Sequence, residues 1–285
     1  MSMQSTTDTA TRAWTWPPGS TAVALPGLVG PPLFVLGVII QQAYRGTAYS
    51  PTRQEISELT AGAVGWAQQL NFVVFGLLII AFAAGLHRGI AAAQGGIVGP
   101  ALLAINGLQL VIAGVFPLRQ NDSGVVYDPI GVHTANGTVF FVGLGIPLIV
   151  LSLRLRRDPR WRRLAGYVFG TGIVLVAALV LVVTLVRPAG SALHPWLGTA
   201  QRLIVLIWLA CIVTLSLRLR GIASADQPAS PHDTPPWVKR FGIATVVVVG
   251  LIGAMMFFGG HHGPGRHTHA GLGGTIPVTT NGGHR

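Results

Sequence analysis

The feature that most constrains this chain is a series of seven apolar segments, each close to the length that crosses a bilayer. A membrane-spanning helix needs about 20 predominantly apolar residues. Only 9% of the 285 residues are charged, too few to cover a water-facing surface. The sequence therefore predicts an all-α membrane protein, a six-helix transmembrane bundle plus an appended seventh transmembrane helix. The predicted spans are residues 22–43, 67–86, 99–118, 133–153, 164–186, 198–217 and 241–258.

Composition divides the rest of the chain around this six-helix core, residues 22–220. Residues 1–21 are predicted to form a disordered cytoplasmic tail, and residues 221–238, rich in Ala, Ser, Asp and Pro, a cytoplasmic linker. The seventh helix is expected within residues 239–260. Residues 261–285 are rich in Gly, His and Thr without apolar periodicity, which predicts a disordered extracytoplasmic tail.

Basic residues between the apolar segments predict the orientation. Six arginines lie in residues 154–163, and four more basic residues follow the sixth segment, at Arg218, Arg220, Lys239 and Arg240. With the remaining loops, twelve basic residues fall on one side of the membrane and seven on the other. Because cytoplasmic loops carry the excess of Lys and Arg, we expect a plasma-membrane protein with a cytoplasmic N-terminus and an extracytoplasmic C-terminus.

The net charge of +11 does not indicate nucleic-acid binding. The charges lie in short clusters between apolar segments, and no basic face with interleaved aromatic residues appears. We therefore expect membrane lipids as partners, no nucleic acid and no cofactor, while the oligomeric state stays open. The single cysteine, Cys211, excludes an intrachain disulfide.

Five short blocks occur in a characteristic order and spacing. They are residues 49–59 (YSPTRQEISEL), 114–117 (GVFP), 131–133 (GVH), 157–161 (RDPRW) and 198–203 (GTAQRL). Over roughly residues 26–220 the chain thereby resembles the prokaryotic membrane family catalogued as domain of unknown function 998. Similar members tend to have an acidic residue after the Phe-Pro pair, where this chain has Leu118 and Arg119. The resemblance implies a membrane fold and no particular reaction.

Polar residues concentrate on the predicted outer face. The candidate ligand-binding or ion-pair cluster is Glu55, Glu58, Asp128, His133, Gln201 and Arg202. Only 15 uncharged residues follow Arg202 in the sixth segment, so this arginine must lie about one turn inside the membrane boundary. It either snorkels outward or pairs with a carboxylate. We predict pairing with Glu58, with Glu55 and Asp128 as alternative partners.

The first predicted outer loop reads as a short interfacial helix over residues 51–60. Ser50 and Pro51 suit a cap followed by proline at the first helical position, and Thr52 and Glu55 have capping-box spacing. Ile56 and Leu59 share one face at i, i+3, which we expect to pack on the bundle.

Catalytic and metal sites have weaker support. His133, Ser57 and Glu58 are candidates for a Ser-His-acid arrangement, but no nucleophile-elbow motif accompanies them. A zinc site needs three or four ligands, and the loops supply few histidines. The metal candidates are four tail histidines, His261, His262, His267 and His269, for which a low-complexity tail is the alternative interpretation.

Several function classes therefore stay open. The polar outer cluster favours binding of a lipid or envelope intermediate, or an accessory role in which the cluster only holds the helices together. A membrane-embedded lipid-acting enzyme, hydrolase or transferase, is the first alternative. A small-molecule transporter is the second, although the second, third, fifth and seventh segments carry almost no ionisable residues at their centres.

Overall fold

The computed structural model describes residues 21–90 and 96–225. It contains six helices long and apolar enough to cross a membrane, so this is a multi-pass helical membrane protein as predicted. The predicted seventh helix, both tails and the four tail histidines lie outside the described residues. The helices are α1 Leu25–Arg45, α2 Gly65–Gly89, α3 Val98–Val115, α4 Val132–Leu155, α5 Arg162–Leu181 and α6 Leu197–Ala225.

Two helices differ from the predicted bounds. α5 ends in a π-helical turn, Val182–Val186, in place of regular α-helix. α6 continues to Ala225, so residues 221–225, which were predicted as linker, are helical. The reason for the longer α6 is packing, because Ile222 and Ala223 are buried and the helix contacts the 3₁₀ turn Thr21–Ala24 that precedes α1.

The bundle closes on itself through α6. Each helix packs against its neighbour in sequence, and α6 contacts α1, α2 and α5. Glycines allow the closest approaches. A Cβ on Gly107 of α3 would lie 2.6 Å from the carbonyl oxygen of Gly76 in α2, and one on Gly172 of α5 would lie 2.8 Å from that of Gly145 in α4. Side chains at these positions would force the paired helices apart.

An aromatic cluster joins four helices in the interior. The rings of Phe34 (α1) and Phe75 (α2) stack with centroids 4.7 Å apart. Trp208 (α6) meets Phe75 edge-on at 6.1 Å and Phe140 (α4) at 5.9 Å. Because aromatic pairs contribute roughly 0.5–1.5 kcal/mol beyond the area they bury, this cluster is a substantial part of the core.

The two ends of the bundle are named here by their connections. The arginine end is the end at which α2 and α4 end and α3 and α5 begin, and it carries the α4–α5 connection, residues 156–161. The site end carries three connections, residues 46–64, 116–131 and 187–196. The connection between α3 and α4 contains a two-residue antiparallel pairing of Arg119–Gln120 with Val126–Tyr127.

The block at residues 157–161 forms a tightly bonded loop at the arginine end. Trp161 is fully buried, and its indole Nε1 donates to the carbonyl of Gly89 at 3.3 Å. Asp158 is 1% exposed and pairs with Arg160 at 3.1 Å. Arg154, also buried, donates to the backbone carbonyl of Ile90 at 3.4 Å. The block therefore fixes the α4–α5 connection to the end of α2.

Candidate functional site

The first loop, residues 46–64, folds differently from the single helix predicted for residues 51–60. A turn leads into a 3₁₀ helix, Ile56–Thr60, with Glu55 in extended conformation before it. A carboxylate oxygen of Glu58 accepts the Glu55 backbone N–H at 3.0 Å, so the capping interaction joins Glu55 and Glu58 rather than Thr52 and Glu55. Ile56 and Leu59 are buried against the bundle, as expected.

Side chains of α6 hold this loop over the bundle. The Oε1 atom of Gln201 accepts the backbone N–H of Ile56 at 2.7 Å. The guanidinium of Arg202 donates to the carbonyl of Gln54 at 2.9 Å. Two consecutive residues of α6 thus bond to backbone groups of the first loop, which ties the loop to a transmembrane helix.

Arg202 does not form the ion pair with Glu58 that the sequence predicted. In addition to Gln54, its guanidinium donates to the hydroxyl of Tyr49 at 2.6 Å and to the carbonyl of Gly198 at 2.8 Å. The carboxylate of Glu58 instead accepts the side-chain amide of Gln54 at 2.9 Å, besides its capping bond. Neutral acceptors of the loop and of α6 reach the guanidinium first, so no carboxylate of the described residues pairs with Arg202.

Asp128, the third predicted partner of Arg202, has a separate role at the start of α4. Its carboxylate accepts the backbone N–H groups of Gly131 at 3.1 Å and Thr134 at 2.8 Å. Desolvation opposes ionisation, but these hydrogen bonds outweigh it and lower the pKa of Asp128. Asp128 therefore caps the first turn of α4 and does not join the rest of the predicted cluster.

A cavity of about 200 Å³, here called the bundle cavity, is lined by the remaining three residues of the polar cluster predicted from the sequence. Glu55, His133 and Gln201 all line it. Its polar side is completed by Ser57, Asn136 and Arg187, and its floor by six aromatic residues, Phe34, Phe72, Phe75, Phe140, Phe141 and Trp208. A polar rim above an aromatic floor is the usual composition of a small-molecule site.

His133 offers an unused hydrogen-bond acceptor at the cavity. The side chain is 6% exposed, and Nδ1 lies 2.8 Å from the carbonyl oxygen of Phe116. Because a carbonyl can only accept, Nδ1 carries a proton, which makes Nε2 an acceptor in the neutral imidazole. Within residues 21–90 and 96–225, Nε2 has no hydrogen-bond partner.

Gln201 offers the complementary donor. Its side chain is also 6% exposed, and the bond from the Ile56 N–H to Oε1 sets the orientation of the amide. The amide nitrogen, with two N–H groups, donates to no acceptor among the described residues. Since buried polar groups are nearly always hydrogen-bonded, free groups on two buried side chains at one cavity indicate a polar ligand.

Glu55 is the carboxyl group of the cavity. Burial raises its pKa, and the negative charge of Glu58 acts in the same direction. The positive charge of Arg187, at the exposed end of the π-helical turn, opposes this increase, as does His133 to a smaller degree. The cavity thus contains a carboxyl group that takes up a proton more readily than an exposed glutamate.

The predicted Ser-His-acid arrangement is not assembled. Ser57 and His133 both line the cavity, but among the described residues no hydrogen bond joins them. Glu58 is occupied in the first loop and does not line the cavity. In the same part of the chain, no three His, Cys, Asp or Glu side chains lie close enough together to hold a metal ion.

The cavity borders the outer surface of the bundle along α5. Between residues 176 and 186 no side chain is fully buried. Leu179, Val182 and Val183 line the cavity, and Val183 is also 50% exposed on the outer surface of the bundle. π-helical turns are often found at functional sites. In a bilayer, this side of the cavity would face lipid.

The sequence did not single out the aromatic floor or Arg187. Phe72 and Phe75 have ordinary helical spacing, which is typical of any buried face. Arg187 was one of several arginines in short connections. The available signal was the change at the end of α5 from an apolar run to Arg187-Pro188, which marks a helix end but not a cavity.

Comparison with known proteins identifies the family. The sequence profile described as "Protein of unknown function (DUF998)" matches residues 28–218, which includes every residue that lines the bundle cavity. No curated protein and no solved structure has significant similarity to the chain. The match covers about two thirds of the sequence and nearly all of the six-helix bundle, so the chain belongs to the DUF998 family of proteins of unknown function.

Proposed function

We propose that this protein binds an amphiphilic membrane molecule in the bundle cavity. The polar head of the ligand lies beside Glu55, His133 and Gln201, and its apolar part lies on the aromatic floor. One observation carries the proposal: two buried side chains keep free hydrogen-bonding atoms above an aromatic floor, in a cavity that borders the outer surface of the bundle along α5.

The free groups specify the chemistry of the head. Gln201 provides N–H donors, Glu55 provides a donor or an acceptor according to its protonation, and the Nε2 atom of His133 has no described partner. Arg187 adds positive charge at the edge of the cavity. A head that both donates and accepts, such as one with hydroxyl groups, satisfies these side chains together. A purely apolar lipid would leave all of them unbonded.

The position of the cavity along α5 favours entry from the membrane. Val183 belongs both to the cavity wall and to the exposed surface of α5. Five phenylalanines and Trp208 give an apolar chain a largely apolar surface, on which the indole N–H of Trp208 is a donor without a described acceptor. An amphiphile moving sideways from the leaflet at the site end therefore keeps its apolar part out of water throughout binding.

A lipid-acting hydrolase or transferase at the same cavity is the second candidate. It is favoured by Glu55, whose raised pKa favours the protonated form that a general acid needs, together with the free Nε2 of His133 as a candidate base. His133→Gln separates the two functions. If His133→Gln retains the copurified amphiphile but no longer converts it, the enzyme is supported. If wild type and His133→Gln retain the amphiphile equally and neither converts it, binding alone is supported.

A cavity-filling substitution tests the binding proposal. Gly137 lines the cavity, and a Cβ there would meet no heavy atom within 4 Å. Gly137→Phe should therefore fill the cavity without displacing a helix. Gly166, on the exposed face of α5, has equally open space and supplies the matched control, Gly166→Phe.

The measurement is mass spectrometry of the amphiphiles that copurify with the full chain. We expect wild type and Gly166→Phe to retain the same species, and Gly137→Phe to lose roughly tenfold or more of it, since tenfold corresponds to only ~1.4 kcal/mol. Thermal unfolding of all three confirms that they are folded. Equal retention by a folded Gly137→Phe variant would show that the bundle cavity is not the binding site.

A further inference from the structure

Arg202 has no carboxylate within ion-pair distance among the described residues, and Glu55 interacts with its charge only over a longer distance. Its three described acceptors are the carbonyls of Gln54 and Gly198 and the hydroxyl of Tyr49. Burial raises the pKa of Tyr49 to about 12, so this hydroxyl stays neutral. A guanidinium is always protonated, and its Nε–H is buried without a described acceptor. Because charges at this depth usually have a partner, a counter-charge from outside the chain is expected.

A second cavity lies at this guanidinium. It has a volume of about 70 Å³ and lies between α1 and α6 at the site end; we call it the α1–α6 groove. Arg202, Gln42, Thr52 and Thr199 form its polar end. Below them the wall is apolar: Val35, Val38, Ile39 and Leu206. Leu206 is 38% exposed on the outside of the bundle, so this wall borders the membrane.

The groove is separate from the bundle cavity. Phe34, Ile56 and Val205 line both and form the wall between them. The groove includes none of Glu55, His133 or Gln201, and the bundle cavity does not include Arg202. A ligand of the groove therefore meets one cation and neutral hydrogen-bonding groups, with no carboxylate on its walls.

From this complementarity we infer that the α1–α6 groove binds an anionic lipid of the leaflet at the site end. The lipid phosphate supplies the counter-charge for Arg202, and its glycerol region lies against Thr52 and Thr199. One acyl chain follows the apolar wall that ends at Leu206. Charge-assisted hydrogen bonds between arginine and phosphate are about twice as strong as neutral ones. Both headgroup classes carry a phosphate, but a zwitterionic headgroup also brings a cation that compensates its own phosphate and repels Arg202, so the net charge favours an anionic headgroup.

The test compares two lipids and two tryptophan variants. The full chain is stripped of lipid in neutral detergent and titrated with phosphatidylglycerol or phosphatidylcholine of identical chains, and bound lipid is counted by native mass spectrometry. Leu206→Trp fills the groove without changing Arg202. Leu203→Trp, on the same helix, 47% exposed and outside both cavities, is its matched control.

We expect wild type and Leu203→Trp to bind phosphatidylglycerol roughly tenfold more tightly than phosphatidylcholine. Leu206→Trp should lose most of that preference, as should Arg202→Gln. If Arg202→Gln does not fold, Leu206→Trp alone decides the question. Equal affinity of wild type for the two lipids would overturn the inference, and so would an unchanged preference in Leu206→Trp.

Two further arms separate the sources of phosphate and the two cavities. Inorganic phosphate at millimolar concentration should not displace phosphatidylglycerol; displacement would mean a simple anion site and would overturn the lipid assignment. Gly137→Phe should keep the full preference for phosphatidylglycerol. If Gly137→Phe loses it and Leu206→Trp does not, the anionic lipid occupies the bundle cavity, and the groove assignment fails while the proposed function stands.

Discussion

The two ends of the bundle differ in where their unbonded polar atoms lie. At the arginine end, Asp158 pairs with Arg160, and a terminal nitrogen of the buried Arg154 donates to backbone carbonyls of the α2 terminus, while its Nε–H is enclosed by protein without a described acceptor. At the site end, His133 and Gln201 are as deeply buried as Arg154, but the unbonded atom that each keeps belongs to a side chain that lines the bundle cavity. The first arrangement stabilises a fold, whereas the second leaves hydrogen-bonding capacity for a ligand.

The same contrast holds for net charge. The guanidinium of Arg160 has the carboxylate of Asp158 beside it, while that of Arg202 has only neutral acceptors among the described residues. Carboxylates are present at the site end, but Glu58 serves the first loop and Asp128 caps α4. A carboxylate at the same end of the bundle therefore need not neutralise the charge of Arg202. Whether it does depends on the hydrogen bonds that the carboxylate already makes.

The largest expected effect concerns which end faces the cell exterior. In a Cys211→Ala background, Ser123→Cys places a thiol at the site end and Ser224→Cys places one at the arginine end, both at exposed positions. The positive-inside rule predicts all-or-none labelling of intact cells by an impermeant maleimide, at position 123 only. Permeabilised cells, in which both sites should react, provide the control. The reverse pattern would invert the predicted orientation.

A smaller effect, on stability, tests whether the arginine end is the rigid one. Asp158→Ala removes a buried carboxylate and leaves Arg154 and Arg160 without it, which should cost about 3 kcal/mol. Asp122→Ala, in the exposed α3–α4 connection, removes the same charge and should cost less than about 0.5 kcal/mol. Unfolding of both variants in detergent measures the difference. Similar losses for the two would contradict the comparison.

The smallest expected effect is a pH dependence at the site end. Burial raises the pKa of Glu55 above its usual 4.5, so the folded state holds a proton that the unfolded state has lost. The contribution of this proton to the free energy of unfolding is fully present below pH 4.5, and it is lost as the pH rises through the raised pKa of the folded state. Glu55→Gln should match wild type at low pH and melt about 2 °C higher at pH 8.

A matched substitution makes that result specific. Asp122→Asn changes an exposed carboxyl group of the same end and should leave the difference between low and high pH as in wild type. A Glu55→Gln variant with the same pH profile as wild type would show that Glu55 is ionised in both states. The cavity would then contain a permanent negative charge, which would favour a cationic head.

Prediction from sequence succeeded where the length of an apolar segment determines the structure. An apolar run of about 20 residues has one stable arrangement in lipid, because a helix satisfies its own backbone hydrogen bonds. For that reason the six described helices agree closely with the predicted segments. The same reasoning placed Ile56 and Leu59 against the bundle, since residues three apart share one helical face.

What only the tertiary structure decided is how the polar residues divide. The sequence grouped six residues on one predicted face. The fold places Asp128 at the cap of α4, Glu58 in the hydrogen bonds of the first loop and Arg202 at the groove, and it leaves Glu55, His133 and Gln201 at the cavity. The deciding partners are largely backbone carbonyls and N–H groups, such as those of Gln54, Ile56 and Phe116. Every residue carries these groups, so no sequence pattern shows which of them will lie near a given side chain. Their positions depend on how helices far apart in the chain pack together, and only the folded bundle determines that.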